Sequence, residues 1–512
     1  MSPPKYTLRY NIAANYVSQV YLVAVGIVMA PVYLSYMGAE AYGLIGFFTM
    51  MTSWFQLLDI GLTPTLVRET ARFRGGVIGA GTLRSYLRAL EAIFGAVSVL
   101  GAAVMILFSD QIAAQWLQVK VLPLAEVSQA IVLMGLTVPL RWVAGLYRGV
   151  VAGFERQVWL ASYNIVIATC RFVGVLAVFH VFGASPVNFF AYQLIVALAE
   201  MLGLAAMTYR LVAFGAGPRE PFSWKPLRAN VAFSLTIAFT ATIWVVISQT
   251  DKLVLSKLLP LAGYGVFSLA AVAAGALNSI GGPLGQALLP RLTKLVAERD
   301  TGRAVQLYGD ATQVASVLAF PAVAILCFFA GPILRAWTGN PSIAEQAAPI
   351  LRLYAIGNGF VILNAFAYYI QYAYGDLRLH FLGNALIFVL LVPLLVFGAE
   401  YYGAVGTGAA WAAVNGLYAI AWVPLIHARL MKGRHWRWVT RDILSIALPS
   451  LAAGWLLSAA IALPAGRWPA LAVVAASGAV VTAAACAGSS LLRSKLAQVL
   501  APRLARLSGP SR

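Results

Sequence analysis

The sequence predicts an all-α polytopic membrane protein with about fourteen transmembrane helices, and three observations carry that expectation. Of its 512 residues, 61% are hydrophobic and only 10% charged, with a mean hydropathy of +0.82; soluble proteins carry about 25% charged residues. Apolar runs recur at or above the roughly 20 residues that a bilayer-spanning helix needs. The polar segments between them are too short for an ordinary globular domain, which excludes a soluble enzymatic module.

The runs fall near residues 11–36, 41–64, 86–108, 127–150, 158–182, 187–211, 229–257, 262–290, 311–333, 347–372, 379–399, 404–428, 443–463 and 468–491. The first follows Lys5 and Arg9. It is too long for a signal peptide and has no small-residue cleavage site, so it reads as a span. The seventh changes character at Gln249-Thr250-Asp251-Lys252 and resumes at Leu253, and the eighth is interrupted by Gly281-Gly282-Pro283. The second half echoes the first. Leu34-Ser35 followed by Ala41-Tyr42-Gly43 returns as Leu255-Ser256 followed by Gly263-Tyr264-Gly265, and the Pro64 to Arg68 closure of run two returns as Pro290 to Lys294. Six runs separate the matching elements, which gives both halves one orientation, as in parallel transporter repeats. The expected organisation is an N-terminal six-helix lobe over 1–211, a cytoplasmic linker over 212–228 and a second six-helix lobe over 229–430. Two Ala- and Gly-rich spans over 431–492 and a basic cytoplasmic tail over 493–512 complete the chain.

A formal charge of +19 raises the question of nucleic acid, and the positions of the basic residues answer it. With a cytoplasmic N-terminus, the clusters around Arg68–Arg88, Arg210–Arg228, Arg291–Arg303, Arg429–Arg441 and Arg493–Arg512 all lie inside, as do Arg148, at the end of run four, and Arg156. Only Lys120, Lys252, Lys257, Arg335, Arg352 and Arg467 fall on the outer side or at outer helix ends, which leaves Arg141 and Arg171 in the bilayer. This is the positive-inside pattern. The basic charge therefore serves topology and attraction to anionic membrane lipids, with no nucleic-acid partner. The amphipathic tail Ser494 to Leu507 is expected along the inner membrane surface. Cys170, Cys327 and Cys486 lie in separate runs with no metal or disulfide spacing.

Residues that could carry chemistry cluster in the middle runs. Arg141, Arg171 and Glu200 each fall near the centre of an apolar run, where a charge costs roughly 2.5–3.5 kcal/mol on insertion scales. Asn164 and Arg171 are seven apart on one helical face, as are Gln193 and Glu200. Two readings stand: a structural Arg171–Glu200 ion pair, or a hydrated cationic lumen in which Glu200 orients the cations or carries a proton. Guanidinium groups in such a lumen would bind a phosphate bidentately. Asn15 on run one, and Asn358 and Asn364 on run ten, add hydrogen-bonding capacity suited to sugars, although single polar residues also serve to join helices. On run seven, Thr236, Thr240, Trp244, Ser248 and Asp251 share a face that would line a cavity. Lys252 joins them as a cargo-binding candidate, while Asp251 beside it reads as an outer gate or coupling carboxylate. Asp59 lies at the inner end of run two near Arg68, a third carboxylate for gating or coupling. The four histidines are scattered, and there is no zinc-protease spacing, P-loop or nucleophile elbow. No catalytic residue, metal ligand or organic cofactor is expected; a coupled H+ or Na+ is left open.

Ala30-Pro31-Val32-Tyr33-Leu34, Met37 to Leu44 with its Ala41-Tyr42-Gly43, and Leu57-Leu58-Asp59-Ile60-Gly61-Leu62 resemble the opening of the O-antigen-type oligosaccharide flippases of polysaccharide biosynthesis. Tyr147 to Arg156 looks like the end of their fourth helix, and Asp251-Lys252-Leu253 through Tyr264-Gly265 like their seventh-helix segment. The resemblance covers roughly the first 430 residues. It implies the multidrug/oligosaccharidyl-lipid/polysaccharide exporter superfamily, with two six-helix lobes around a central cavity. It further implies a polyprenyl-diphosphate-linked oligosaccharide as cargo, carried from the cytoplasmic to the periplasmic leaflet of a bacterial inner membrane, with polymerase and chain-length proteins of the same pathway as partners. The alternatives are a multidrug exporter, a peptidoglycan-precursor flippase and, in a different class, a membrane-embedded polysaccharide polymerase.

Overall fold

The computed structural model describes the backbone of residues 8–212, 225–464, 466–496 and 498, and for 8, 9, 12, 225–241 and 283 the backbone alone. Most of the linker expected over 212–228 lies outside these residues, as does most of the tail expected over 493–512; the side chains of Thr236 and Thr240 lie outside them too. Among the described residues the chain is helical, with one isolated bridge between Gln118 and Pro260.

Helices follow in order: α1 (Leu8–Phe55), α2 (Leu62–Arg74), α3 (Ala80–Leu107), α4 (Leu124–Gly153), α5 (Gln157–Thr169), α6 (Val175–Phe182), α7 (Pro186–Val212), α8 (Lys225–Leu258), α9 (Leu261–Gly275) and α10 (Asn278–Ala297). They continue as α11 (Thr301–Phe328), α12 (Ala330–Thr338), α13 (Pro341–Tyr374), α14 (Arg378–Leu417), α15 (Val423–Leu430), α16 (Ser445–Ala460) and α17 (Arg467–Gly488). Among the described residues, eleven stretches are long and apolar enough to cross a membrane. Two of them are broken at glycines whose backbone is not helical, Gly38 in α1 and Gly403 in α14, so that each holds two helices and is long enough for two spans. With α8 they account for the apolar runs of the sequence one by one. Gly38 has φ 83°, a conformation that a residue without Cβ adopts at no steric cost.

Contacts divide the chain into two compact units, Met1–Gly265 and Val266–Arg512. The first has its core where α2, α3 and α4 meet, with Leu66, Leu87, Leu90, Phe94, Trp142 and Leu146 buried. The Phe94 and Trp142 rings stack there at 4.0 Å. The rim of this unit is pinned by the segment joining α3 to α4. Glu40, just past the Gly38 corner, accepts the backbone N–H groups of Lys120, Val121 and Leu122, each at 2.9 Å. Gln118 exchanges backbone and side-chain hydrogen bonds with Lys257, Leu258 and Leu261, and Trp116 Nε1 donates to Ser256 Oγ at 3.0 Å. At the same rim the two echoing Tyr-Gly motifs meet. A Cβ on Gly43 would strike the carbonyl oxygen of Leu261, and one on Gly265 would strike that of Ala39. Each glycine thus sits over the carbonyl four residues before the other glycine, a reciprocal arrangement expected of two copies of one motif.

The second unit buries a core of α10, α11, α13 and α15 residues, including Leu292, Tyr308, Phe366 and Ile426. Two polar chains run through it. Tyr308 Oη lies 2.9 Å from His427 Nε2, and His427 Nδ1 lies 3.0 Å from His435 Nδ1. Gln313 donates to Asp442 Oδ1 at 2.7 Å and accepts from Ser489 Oγ and the Leu491 N–H.

Candidate functional site

A cavity of about 560 Å³ opens in the first unit, bordered by the second arm of α1, the turn before α2, α4, the α5–α6 junction, α7 and α8. The helical repeat of α4 places Val138, Arg141, Gly145 and Arg148 along one wall. Beyond its own helix backbone, no atom of the described residues lies within 4 Å of the place a Gly145 Cβ would take, so this glycine leaves the space between the two arginines open. Seven residues separate Arg141 from Arg148, about 10 Å along the axis.

Arg171 enters from a π-turn, Cys170–Gly174, between α5 and α6. Widening the helix by one residue frees carbonyl oxygens from the regular ladder, and neighbouring side chains take them up. Tyr192 donates to the Cys170 carbonyl at 2.8 Å, Gln193 to that of Arg171 at 3.1 Å and Tyr33 to that of Phe172 at 2.6 Å. The turn is thereby fixed, and Arg171 points at α7.

Glu200 of α7 receives it. Its Oε2 pairs with Arg171, and its Oε1 accepts from Arg148 at 2.5 Å. The carboxylate is buried. Arg141 lines the same cavity and has no carboxylate within ion-pair distance among the described residues; its guanidinium carbon stands 5.4 Å from the centroid of the Phe48 ring. Asp59 completes the polar wall at the opposite side. It ends a single 3-10 turn, Gln56–Asp59, and its Oδ1 accepts from the Thr63 N–H at 3.0 Å and the Thr63 hydroxyl at 2.8 Å, starting α2. Three guanidiniums thus face two carboxylates, one of which is shared by two arginines.

The structure therefore brings together Arg141, Arg171, Glu200 and Asp59 among the residues singled out from sequence. It adds Arg148, assigned from sequence to a cytoplasmic helix end. The seven-residue spacing from Arg141 was the available signal, the same spacing that linked Asn164 to Arg171. The remaining candidates sit elsewhere. Asn164 is outside the cavity lining. Asn15 is exposed and donates to Gln157 Oε1 at 3.4 Å. Asn358 belongs to the second unit, where it donates to the Ala274 carbonyl at 2.9 Å and accepts from Trp411 Nε1 at 3.1 Å. Asn364, in the same unit, donates to the Asn415 carbonyl at 3.0 Å. Lys252 donates to the Ser248 carbonyl at 2.7 Å and pairs with the buried Asp251 at 3.1 Å. From α8 the cavity takes Thr242 and Val245, while Trp244 is half exposed. At about 100° per residue the two lining residues lie on one side of the helix and Trp244 on another. Among the described residues no group of His, Cys, Asp and Glu could hold a metal ion.

Comparison with known proteins gives consistent matches. The family described as polysaccharide biosynthesis protein matches residues 8–296. A putative O-antigen transporter of Shigella flexneri is 22% identical over 375 residues, covering 73% of this chain and 87% of that protein. Among solved structures, the lipid II flippase MurJ in an inward closed conformation superposes with a TM-score of 0.70 at 13% identity, over 96% of this chain and all of its own. An inward-facing multidrug resistance transporter of the MATE family, in the MOP superfamily, gives 0.66 at 14% identity, over 81% of this chain and 94% of its own. These structural likenesses establish the fold. The family and the neighbours are transporters and flippases, not enzymes.

Proposed function

The chain belongs to the polysaccharide biosynthesis protein family, and from that premise we propose that this membrane transporter flips a polyprenyl-diphosphate-linked oligosaccharide from the cytoplasmic to the periplasmic leaflet of a bacterial inner membrane. The observation that supports the reading most is Arg141. A half-buried guanidinium without a carboxylate within ion-pair distance among the described residues is costly to keep, and here it stands beside two further arginines in one cavity. A diphosphate offers what the site lacks, a compact double anion that planar guanidiniums grip bidentately. With the termini cytoplasmic, an orientation the basic clusters support, Arg148 lies toward the inner face and Arg141 about 10 Å deeper. The pyrophosphate enters past Arg148 and settles on Arg141, the glycan occupies the polar space by Asp59 and Thr242, and the lipid tail stays in the bilayer. Alternating access then releases the head group outward.

Glu200 orients rather than binds cargo. It neutralises Arg148 and Arg171 in the empty site, which leaves Arg141 as the first free charge an anion meets. Asp59 and Asp251 are the coupling candidates for H+ or Na+. An excess of arginine disfavours organic cations, which separates this reading from drug export. Leaflet translocation of a labelled lipid-linked glycan in proteoliposomes tests it. Arg141→Ala is expected to slow transport about ten- to hundredfold, the value of one or two charge-assisted hydrogen bonds, with a further loss in the double change with Arg171→Ala. Wild-type rates in the folded variants, or efficient efflux of an organic-cation dye, would overturn the proposal.

A further inference from the structure

A second cavity, of about 320 Å³, opens in the second unit between the start of α11 and the segment joining α15 to α16. Its floor is Tyr308 and Trp438, both buried, with Trp438 Nε1 donating to Thr312 Oγ1 at 2.9 Å. Its walls carry Arg434, Arg437 and Arg441, three guanidiniums with no carboxylate within ion-pair distance among the described residues. Spacing explains the convergence. Arg434 lies one turn before Arg437, and Arg441 one turn after it where a π-turn, Trp438–Leu444, begins. Arg441 is held by Ser490 Oγ at 2.9 Å.

Two carboxylates share the cavity, and neither cancels the charge. Asp442 is buried and engaged by Gln313. Asp310 stands under the influence of both Arg441 and Lys495. Three guanidiniums of the cavity therefore face two carboxylates, and the surplus is positive. The surroundings identify what the surplus serves. Trp436, between Arg434 and Arg437, is 75% exposed, and Leu444 and Leu448 further along the same segment are exposed as well. A bare tryptophan beside arginines and above exposed leucines is the arrangement of a membrane–water interface, with ring and cations at head-group level and leucines against acyl chains.

We infer that this cavity is a binding site for the phosphodiester head group of an anionic phospholipid of the leaflet it faces, distinct from the cargo cavity of the first unit. The phosphate lies on Arg434 and Arg437, Trp436 sits at the glycerol level, and the acyl chains run along α16. Basic pockets at the cytoplasmic ends of membrane helices take such head groups. The cytoplasmic assignment rests on the orientation proposed above; the chemistry of the pocket does not.

The test measures lipid retention, not transport, so it succeeds or fails independently of the flippase reading. The full-length protein, purified in detergent, is titrated with phosphatidylglycerol, with phosphatidylcholine, and with inorganic phosphate or glycerophosphoglycerol, and bound lipid is counted by native mass spectrometry alongside thermal unfolding. Wild-type protein is expected to hold phosphatidylglycerol at least tenfold more tightly than phosphatidylcholine. The double change Arg434→Gln and Arg437→Gln, monodisperse and folded, is expected to lose that preference, and Trp436→Ala to weaken retention of the lipid but leave any soluble-anion effect unchanged. Equal binding of phosphatidylcholine, or unchanged phosphatidylglycerol binding in the double variant, overturns the site. Inorganic phosphate displacing the lipid at matched concentration would assign the cavity to a soluble anion and overturn the lipid. Should the double variant fail to fold, Arg437→Lys, which keeps charge but loses the planar fork, must still reduce the preference.

Discussion

Changing Arg141 and Glu200 separately to glutamine divides the cavity's cations into those that hold the fold and the one that holds cargo. Glu200 serves two arginines, so Glu200→Gln keeps the shape of the side chain but strands two guanidiniums. Breaking a buried ion pair costs about 3–5 kcal/mol, because the remaining charge stays buried. The Arg148 side chain is 38% exposed and solvent recovers most of its share, whereas that of Arg171 is 14% exposed and carries the loss. A penalty of about 3 kcal/mol is expected, a fall in Tm of about 6–12 °C if the first unit melts as a domain of about 250 residues does. Arg141→Gln strands nothing. It forfeits a cation–π contact with Phe48 worth about 0.5–1 kcal/mol and relieves repulsion from Arg148 and Arg171, so Tm should change little or rise. Transport should nevertheless fall at least tenfold. Adding Arg171→Gln to Glu200→Gln should restore part of the lost stability, since the stranded charge is gone. Fluorescence-monitored unfolding in detergent and proteoliposome translocation on the same preparations supply both readouts. If Arg141→Gln destabilises as much as Glu200→Gln, or transports normally, the division of labour is refuted.

Three further outcomes follow from the first unit. Gly43→Ala drives a methyl group into the Leu261 carbonyl oxygen, a backbone atom that cannot rotate away; a loss of about 1–3 kcal/mol is expected, read as a lower Tm. Glu40→Gln exchanges one carboxylate oxygen for an amide N–H that faces backbone N–H groups. It should cost about 1.5–3 kcal/mol and speed amide hydrogen exchange at Lys120, Val121 and Leu122 selectively. Outside the spans, a hydrogen bond from Arg74 holds the Glu155 carboxyl below its ordinary value. Because the folded value is the lower one, its contribution is complete above the ordinary carboxylate pKa and is lost as pH falls through the folded value. Glu155 is more than half exposed, so the effect is under about 1 kcal/mol, seen as a small acid-side fall in Tm that Arg74→Ala removes.

What the sequence could and could not disclose follows from how far each signal reaches. Hydropathy reads spans because burial in lipid acts on every residue of a run, and the apolar runs found from it correspond to the helices observed. Charge in an apolar run is equally legible, which is why Arg141, Arg171 and Glu200 stand out. Hydropathy is blind where a charge sits at the margin of a run. Arg148 falls there, two residues before the end of run four, and reads as a cytoplasmic helix end, yet it shares Glu200 with Arg171. Asp59 shows the same limit from the other side: its sequence position suggested proximity to Arg68, while the left-handed Ile60 and Gly61 turn it onto Thr63 at the start of α2 and leave it lining the cavity. Polar residues such as Asn358 carry no such directional mark. The same amide that could bind a sugar joins α9 and α14 to α13 instead, and only the partners decide.

The echo of Ala41-Tyr42-Gly43 in Gly263-Tyr264-Gly265 gave more than either motif alone. A glycine in a helix is tolerated at a cost of about 1 kcal/mol relative to Ala, so a repeated one implies a repeated reason. The reason is mutual: Gly43 admits the Leu261 carbonyl and Gly265 admits that of Ala39, so each copy of the motif is the other's packing partner. Substituting either glycine should therefore weaken the same crossing, and the two changes together should cost less than the sum of the single ones, because the first already holds the helices apart. Additive losses in Gly43→Ala, Gly265→Ala and the double variant would mean the two contacts are independent. The repeat would then be a resemblance of sequence without a shared joint.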